Sequence, residues 1–366
     1  MKRRSIALAL LAGACTPVLH AQTAPTPSSD AAASKRRPRE RAAAPEFLYR
    51  DLPAAMAFAD DLAARRGLDA AWVRDQIGRA SRSVEAIRGV TPPPVGVPKN
   101  WAAYRARFIE PVRLAAGQRF WQANRATLER AEAQFGVPAA LIVGVIGVET
   151  LYGRHMGTHK VMDALTTLTF DFPAVHPRAA ARSAFFRDEL EQFLSFTQRT
   201  GTDPHSLLGS FAGAMGWPQF MPSSWVKYAI DFDGDGKVDL FDSQADVIGS
   251  VANYFKAFGW QTGLPTHHPV RFDPTRLDLE TLLAPDILPT FSLENFLAKG
   301  AIVEGDALRH TGKFALVELQ NAGAPSSYVA GTENFYVVTR YNWSSYYALA
   351  VIELGEAVKA AVDATR

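Results

Sequence analysis

The sequence has almost no cysteine, since Cys15 is the only one in 366 residues. A single thiol excludes an internal disulfide and any metal site built from cysteine ligands. Beyond the N-terminus the sequence also lacks an apolar run long enough to span a bilayer. We therefore expect a packed core to hold the fold together, and a chain of this length with 48% apolar residues can form two or three domains.

The net charge is also small, at +2, and it is unevenly distributed. Residues 1–44 contain eight Lys and Arg against two Asp and Glu, which leaves 31 basic and 35 acidic residues, a net charge of −4, in the rest of the chain. This mildly acidic part argues against a nucleic-acid partner, because binding to phosphates requires a basic surface.

Residues 1–21 have the pattern of a secretory signal, in which Lys2, Arg3 and Arg4 precede an apolar run and then small residues. Two fates remain open here: cleavage after Ala21, or attachment of a lipid at Cys15 that would anchor the chain to the outer membrane. Residues 22–44 are rich in Ala, Pro, Ser and Arg, and we predict a disordered tether. These features predict an exported protein.

Helical periodicity dominates the remaining chain, and we predict a mainly α (α+β) fold. The expected units are a helical domain at 45–135, a core at 136–264, a small β-containing insertion at 265–335 and a segment at 336–366 that returns to the core. Within the last two units, Phe314 to Leu319 and Phe335 to Arg340 have β-forming composition. Ser344 to Val362 is predicted to be helical.

The stretch Gly136 to Gly153 contains the most unusual pattern in the chain. Its apolar residues leave no polar face, which predicts a helix that is buried all round and that ends at Gly153. Glu149 is the exception near its C-terminal end. A buried, unpaired carboxyl has a pKa raised toward neutrality, as a general acid requires. The alternative is that Glu149 faces solvent or pairs with Arg154.

Residues 209–224 combine glycines, aromatics and two prolines, a composition that favours a loop over a helix. Such a loop can bring backbone close to a ligand. The alternative is tight packing of small residues against the core.

Residues 231–242 follow the pattern of an EF-hand calcium loop. Oxygen donors occupy loop positions 1, 3, 5 and 9, glycine occupies position 6, and Lys237 would contribute its backbone carbonyl. Position 12 is Asp242 where Glu is usual, so Asp246 is an alternative closing ligand. We predict a structural Ca²⁺ bound by Asp231, Asp233, Asp235, Lys237 and Asp246.

Five segments together resemble the B-type lytic transglycosylases of bacterial peptidoglycan (glycoside hydrolase family 103). They are Gly144 to Thr150, Gly209 to Gly216, Gln219 to Ser224, Ile248 to Phe255 and Arg340 to Asn342. The resemblance implies a lysozyme-like core, a periplasmic location, and cleavage of the β-1,4 bond between N-acetylmuramic acid and N-acetylglucosamine with formation of 1,6-anhydromuropeptides.

The resemblance also implies roles for particular residues. Glu149 matches the single catalytic acid and base of the family. Residues that match its glycan groove are Ser210, Gln219, Tyr254, Asn342 and Tyr347, with Tyr104 as a further candidate. Phe185 stands where the family usually has Tyr, so it can stack on a sugar but cannot donate a hydroxyl. We expect Met215 and Phe220 to shield the site from water and to contact sugar rings.

Three readings of the function follow. The first is a monomeric lytic transglycosylase that acts on glycan strands. The second is a muramidase of the same site, in which water takes the place of the sugar's own hydroxyl. The third is a non-catalytic murein-binding protein of the envelope, in which a buried Glu149 would have no purpose.

Overall fold

The structure is a computed structural model that describes residues 47–92 and 98–365. The predicted signal at 1–21, the predicted tether at 22–44 and Cys15 lie outside the described residues.

Helices form most of the described chain, and the predicted mainly α fold is confirmed. The helices are α1 (Pro53–Arg66), α2 (Ala70–Arg79), α3 (Val84–Val90), α4 (Trp101–Ala106), α5 (Pro111–Ala123), α6 (Arg125–Phe135), α7 (Ala139–Thr150), α8 (Val161–Phe170), α9 (Ala179–Thr200), α10 (Pro222–Tyr228), α11 (Gln244–Ala257), α12 (Leu279–Leu283), α13 (Leu293–Ala298), α14 (Glu333–Thr339) and α15 (Ser345–Asp363). Left-handed glycines end α1, α6 and α9, as helix C-termini commonly require.

The strands are short and antiparallel. They are β1 (His159–Lys160), β2 (Leu208–Gly209), β3 (His267–Pro269), β4 (Arg271–Phe272), β5 (Ala301–Ile302), β6 (Ala315–Asn321) and β7 (Ala324–Gly331). β7 lies between β3 and β6, with Val329 opposite both Pro269 and Val317. β1 pairs with β2, and β4 pairs with β5.

Strand β6 joins two hydrophobic clusters. Val317 and Leu319 belong to the large cluster that includes most of the helices, whereas Leu316 belongs to a smaller cluster with residues of α12 and α13. Since successive side chains of a strand point to opposite faces, β6 is buried on both sides. The segment around β3 to β7 therefore packs firmly on the main core, while the domain boundaries remain a prediction.

The prediction of β structure at Phe335 to Arg340 is wrong, because these residues belong to α14 and the turn after it. The Thr332 side chain caps the helix by accepting a hydrogen bond from the backbone N–H of Asn334. Phe335 and Val338 are fully buried in the main core. Burial on one face of a helix has outweighed the β preference of this aromatic and β-branched run.

Helices α7 and α15 are antiparallel partners at the centre of the main core. A Cβ on Gly144 would lie 2.1 Å from the carbonyl oxygen of Val351, and one on Gly355 would lie 1.9 Å from that of Ala140. Only glycine permits this close approach of two backbones. The contacts run in opposite directions along the helices, so the C-terminal end of α7 meets the N-terminal end of α15.

No single helix in the described ranges is long and apolar enough to cross a membrane. The pair α6 and α7 together meets the criteria of length and composition, but it is bent by 116°. In this structure α7 is buried within the protein, as the sequence predicts.

Candidate active site

Glu149 lies in the last turn of α7 and faces the start of α15. The hydroxyl of Tyr347 donates a hydrogen bond of 2.5 Å to Oε1 of Glu149. Burial raises the pKa of Glu149 from an ordinary 4.5 to about 7, although the hydrogen bond from Tyr347 lowers it. The residue as a whole is partly buried.

The surroundings of this carboxyl are aromatic and uncharged. Its negative charge contributes to the raised pKa values of four tyrosines, namely Tyr104, Tyr254, Tyr341 and Tyr347. For each of them burial is the larger cause. In the two described ranges no salt bridge reaches Glu149, so the alternative of an ion pair with Arg154 is not supported.

Three of these tyrosines, Tyr254, Tyr341 and Tyr347, form one packed group. Tyr341 lies between two of them, with ring centroids 4.8 Å from Tyr254 and 6.2 Å from Tyr347. Their hydroxyls are fixed by separate partners: that of Tyr254 donates to the Arg340 carbonyl at 2.7 Å, and that of Tyr341 to the Pro218 carbonyl at 2.6 Å. Tyr347 is thereby left as the hydroxyl that donates to Glu149.

The end of α7 departs from the sequence-based prediction. The sequence predicts that the helix ends at Gly153, but α7 ends at Thr150, because Leu151 already has a φ of 51° and Tyr152 a φ of 56°. Left-handed backbone in bulky residues costs about 1–3 kcal/mol per residue and persists only where the surroundings enforce it. Such strain is commonly found at functional sites, and here it begins two residues after Glu149.

Trp217 and Thr150 enforce this conformation. The Thr150 hydroxyl donates to the Trp217 carbonyl at 3.0 Å and accepts from the Gly153 N–H at 3.0 Å. Trp217 is itself held by the Asp-rich loop at residues 231–242, because its N–H donates to the Leu240 carbonyl and its indole N–H to the Phe241 carbonyl. Thr150 and Trp217 are not among the predicted site residues, because their role depends on a contact between segments 67 positions apart.

The loop predicted at residues 209–224 is present up to the start of α10. Met215 and Phe220 exchange two backbone hydrogen bonds of 2.9 and 3.0 Å, which closes a tight turn between them. Gln219 in this turn has a φ of 50°, and its side-chain NH₂ donates to the carbonyls of Met156 and Gly216. The Ser210 hydroxyl oxygen accepts from the Ala212 and Ala214 N–H groups.

The predicted groove residues differ in accessibility. The partly exposed ones are Tyr104, Phe185, Ser210 and Gln219, and the buried ones are Met215, Phe220, Tyr254, Asn342 and Tyr347. Met215 is 0% and Phe220 2% exposed, so they pack beneath the site, and direct contact of their side chains with sugar is not supported.

The structure brings some of the predicted residues together around Glu149 and shows other contacts for Phe185. Tyr104, Tyr254 and Tyr347 lie around Glu149, and Phe220 packs on Tyr254. Phe185 instead contacts Phe186 and the guanidinium of Arg182 on α9. Tyr341 was part of a recognised motif but was not predicted as a site residue; its position directly before Asn342 was the available signal.

The Asp-rich loop contains a group of carboxylates suited to a cation. Asp231, Asp233 and Asp246 each offer an oxygen, and these oxygens lie within 4.8 Å of one another. Asp246, and not Asp242, completes the group. Such a set of oxygen ligands fits a hard divalent ion such as Ca²⁺. Asp235 lies outside it.

The backbone of this loop wraps around the carboxylates. Asp231 accepts hydrogen bonds from the N–H groups of Gly234 and Gly236, and Asp246 accepts from those of Phe232 and Asp239. The Asp235 carboxylate accepts from the Lys237 N–H. Asp235 and the Lys237 carbonyl remain predicted ligands.

Comparison with known proteins agrees with this geometry. Residues 51–356 match the family model of the transglycosylase SLT domain. The chain is 38% identical over 322 residues to membrane-bound lytic murein transglycosylase B of Escherichia coli strain K12, covering 84% of this chain and 82% of that protein.

Solved structures show the same relationship. The catenated lytic transglycosylase SltB1 from Pseudomonas aeruginosa superposes with a TM-score of 0.78 at 38% identity, covering 86% of this chain and 99% of that one. The Escherichia coli lytic transglycosylase Slt35 in complex with calcium superposes with a TM-score of 0.74 at 38% identity, covering 85% and 94% of the two chains.

Proposed function

The chain belongs to the transglycosylase SLT domain family and is a lytic transglycosylase that cleaves peptidoglycan, and on this premise we propose that Glu149 is its single catalytic acid and base. The observation that carries the proposal is a carboxyl with no charged partner in the described chain and a pKa of about 7. Near neutral pH such a group can both give and take a proton.

The chemistry proceeds in two proton transfers. Protonated Glu149 donates to the glycosidic oxygen between N-acetylmuramic acid and N-acetylglucosamine, and the bond from the muramyl C1 to this oxygen breaks. The Glu149 carboxylate then accepts the proton of the muramyl C6 hydroxyl while its oxygen bonds to C1. The product has a 1,6-anhydro end, and Glu149 is protonated again.

One carboxyl is sufficient because the nucleophile belongs to the substrate. Most glycosidases use two carboxyl groups, one of which activates water or attacks the sugar itself. An intramolecular hydroxyl has a high effective concentration and replaces that second group, provided that water is kept away. The packed tyrosines around Glu149 and the buried Met215 and Phe220 support this exclusion of water.

The polar residues of the site orient the sugar. In this proposal Ser210, Gln219 and Asn342 bind hydroxyl and acetamido groups. Tyr104 presents a partly exposed ring that can pack on a sugar face, whereas the predicted role of Phe185 is not supported by a contact with the residues around Glu149. The turn that closes between Met215 and Phe220 fixes Gln219, so its side chain is positioned before substrate arrives.

We also propose that Asp231, Asp233 and Asp246 hold a structural Ca²⁺. The short distances among their oxygens support this, as does the calcium complex of Slt35. The ion would offset most of the negative charge of the three carboxylates and fix the loop that holds Trp217. No proton transfer at Glu149 requires it.

The location of the enzyme follows from its substrate and its N-terminus. We propose that residues 1–21 direct export to the periplasm and that the protein acts there as a monomer on glycan strands. Cleavage after Ala21 and lipid attachment at Cys15 remain alternatives, and radiolabelled palmitate incorporation into the Cys15→Ser variant and the parent chain separates them.

The decisive test compares the parent protein with Glu149→Gln on purified sacculi. The parent is expected to release soluble muropeptides, and the variant is expected to release less than a thousandth as much while keeping its circular dichroism spectrum. Glu356→Gln is the control, because Glu356 lies on α15 nine residues beyond Tyr347. Equal release by parent and Glu149→Gln would refute the role of Glu149.

A further inference from the structure

Arg113, near the start of α5, joins two segments that carry residues of the site. Its Nε donates a hydrogen bond of 3.0 Å to the carbonyl of Gly147 in the last turn of α7, two residues before Glu149. Its Nη1 donates to the carbonyl of Arg107, which directly follows α4, the helix of Tyr104. We propose that Arg113 is a positioning residue, which fixes the end of α7 relative to α4 and thereby holds Glu149 in its buried place near Tyr104.

The guanidinium of Arg113 is built into the protein. Its side chain is 15% exposed, and its Cζ lies 5.2 Å from the ring centroid of Phe108. The nearest carboxylate, that of Glu110, is 3.9 Å away and accepts hydrogen bonds from the backbone N–H groups of Val112 and Arg113 at the start of α5. Burial lowers the pKa of Arg113, because desolvation disfavours a cation. A planar guanidinium that is largely removed from water and donates to two backbone carbonyls imposes a fixed geometry on both.

Helix α5 supports the same turn at a second point, through Tyr152. The Tyr152 ring stacks on Phe120 of α5, with ring centroids 5.3 Å apart. A Cβ on Gly117 of α5 or on Gly147 of α7 would lie 2.5 Å from the Tyr152 hydroxyl oxygen. Glycine at both positions therefore admits the ring between the two helices. Gly117 lies one turn beyond Arg113, so one face of α5 contacts the end of α7 at both places.

Arg113 is expected to act on Glu149 through position and not through charge. Burial is the main cause of the raised pKa of Glu149, and the hydrogen bond from Tyr347 is the opposing one. Without Arg113, the Gly147 carbonyl keeps only the bond of 3.2 Å from the Leu151 N–H, and the last turn of α7 is free to loosen. Exposure of the carboxyl would lower its pKa toward 4.5, whereas loss of a nearby positive charge would raise it. The two effects have opposite signs and can be told apart.

The first test measures the pKa of Glu149 by ¹³C NMR of its labelled side-chain carboxyl, whose signal is assigned by its absence in Glu149→Gln. Arg113→Met removes the donors and keeps the aliphatic stem and the helix preference of the position. The parent is expected to titrate near pH 7, and Arg113→Met about one pH unit lower or more. Arg113→Lys keeps the charge but not the planar fork, and its value should lie between the two. A merely structural role would lower the melting temperature and leave this pKa unchanged.

The second test measures turnover of isolated glycan strands, and its expected effect rests on the proposed catalytic role of Glu149. Arg113→Met should lower kcat about tenfold and change KM by less than about twofold, because the proton donor is misplaced while the groove still binds sugar. The pH above which kcat/KM falls should decrease by as much as the pKa of Glu149 does. Arg119→Met is the matched control, since Arg119 lies on the same helix and is exposed. It should match the parent in kcat, KM and pH profile.

Two results would overturn the role of Arg113. An unchanged pKa of Glu149 in both Arg113→Met and Arg113→Lys would show that Arg113 does not hold the carboxyl in place. A raised pKa in Arg113→Met would show that the arginine acts through its charge. A lowered pKa in Arg113→Met together with full activity of Glu149→Gln would support the positioning role and refute the catalytic one, so the two proposals fail separately.

Discussion

Glu149 is a carboxyl group that the folded protein keeps protonated at pH values where an exposed glutamate is charged. Desolvation at the end of a fully apolar helix causes this, and the single hydrogen bond from Tyr347 only partly offsets it. The same environment that prepares the proton for transfer makes the ionised form unfavourable. Desolvation of Glu149 therefore both raises its pKa for proton transfer and lowers the stability of the folded protein when the carboxyl is ionised.

Because desolvation destabilises the ionised carboxyl, Glu149→Gln is expected to stabilise the protein in a pH-dependent manner. The folded protein retains a proton that the unfolded chain loses, so parent stability falls as pH rises from about 4.5 to about 7. Gln cannot ionise, and the variant should gain up to about 3 kcal/mol at pH 8 and nothing at pH 4. Urea unfolding at both pH values measures this difference.

Glu191→Gln provides a control of opposite sign. Burial raises the pKa of Glu191, but hydrogen bonds from Arg65 and Arg66 outweigh this and lower it. Its ionised form is thus favoured by folding, and the variant should lose stability at pH 8. If the effect of Glu149→Gln did not change between pH 4 and pH 8, the raised pKa of Glu149 would be disproved.

Tyr347→Phe is expected to move the pH dependence of activity. The free enzyme must be protonated at Glu149, so kcat/KM should be level below pH 7 and fall about tenfold per pH unit above it. Removing the hydroxyl removes the interaction that lowers the pKa of Glu149, and the alkaline fall should shift to higher pH. Because the carboxyl also loses its orienting contact, kcat should decrease by about tenfold or more.

Tyr346→Phe is the comparison for this experiment. Tyr346 is the neighbouring buried tyrosine on α15, and its hydroxyl bonds to the backbone of Gln320. Removal of the Tyr346 hydroxyl should leave unchanged the pH above which kcat/KM falls. A fall in Tyr347→Phe that shifts to lower pH would contradict the role assigned to Tyr347.

At the scale of secondary-structure elements, three segments hold Glu149 in position. The close pairing of α7 and α15 brings Tyr347 to the carboxyl. The turn closed by Met215 and Phe220 holds Thr150 through the Trp217 carbonyl, and the Asp-rich loop at residues 231–242 holds Trp217 through Leu240 and Phe241. The strained backbone at Leu151 and Tyr152 is thereby supported from outside the helix.

If the Asp-rich loop at residues 231–242 binds calcium as proposed, the stability of the protein should depend on calcium. At a free calcium concentration about a hundred times the Kd, binding adds about 2.7 kcal/mol to the free energy of unfolding. The melting temperature of the parent should be several degrees higher with calcium than with chelator, and Asp233→Asn should lose this increment. Asp242→Asn should keep it, because Asp242 lies outside the carboxylate group. Identical melting temperatures of the parent with calcium and with chelator would exclude the site.

At the scale of the whole molecule, the features that the sequence predicted are those that depend on a local pattern of residues. An apolar run without a polar face predicted the buried α7, and the isolated carboxyl within it made Glu149 a candidate catalytic residue. The spacing of aspartates predicted a calcium loop at residues 231–242 but left Asp242 and Asp246 as alternatives. The choice of Asp246 depends on how the loop folds back onto the start of α11, which spacing does not determine.

What the sequence could not predict depends on contacts between distant segments. The resemblance placed Tyr347 in the groove but did not indicate its hydrogen bond to Glu149, 198 positions away. The link through Trp217 likewise joins three separate segments. Residues of α14 were predicted to form a strand because the β preference of their side chains was the only information available. In the structure, burial of one face against the core favours the helix instead. The candidate residues of the site could therefore be predicted from the sequence, whereas the contacts that hold them in position could not.

The most direct test of the account is the mass of the product formed from purified sacculi in water enriched in ¹⁸O. The account predicts muropeptides with 1,6-anhydro ends, lighter by one water than reducing ends and without ¹⁸O, because the muramyl C6 hydroxyl is the nucleophile. Products with reducing ends that contain ¹⁸O would show that water attacks C1, and the single-carboxyl mechanism at Glu149 would be contradicted.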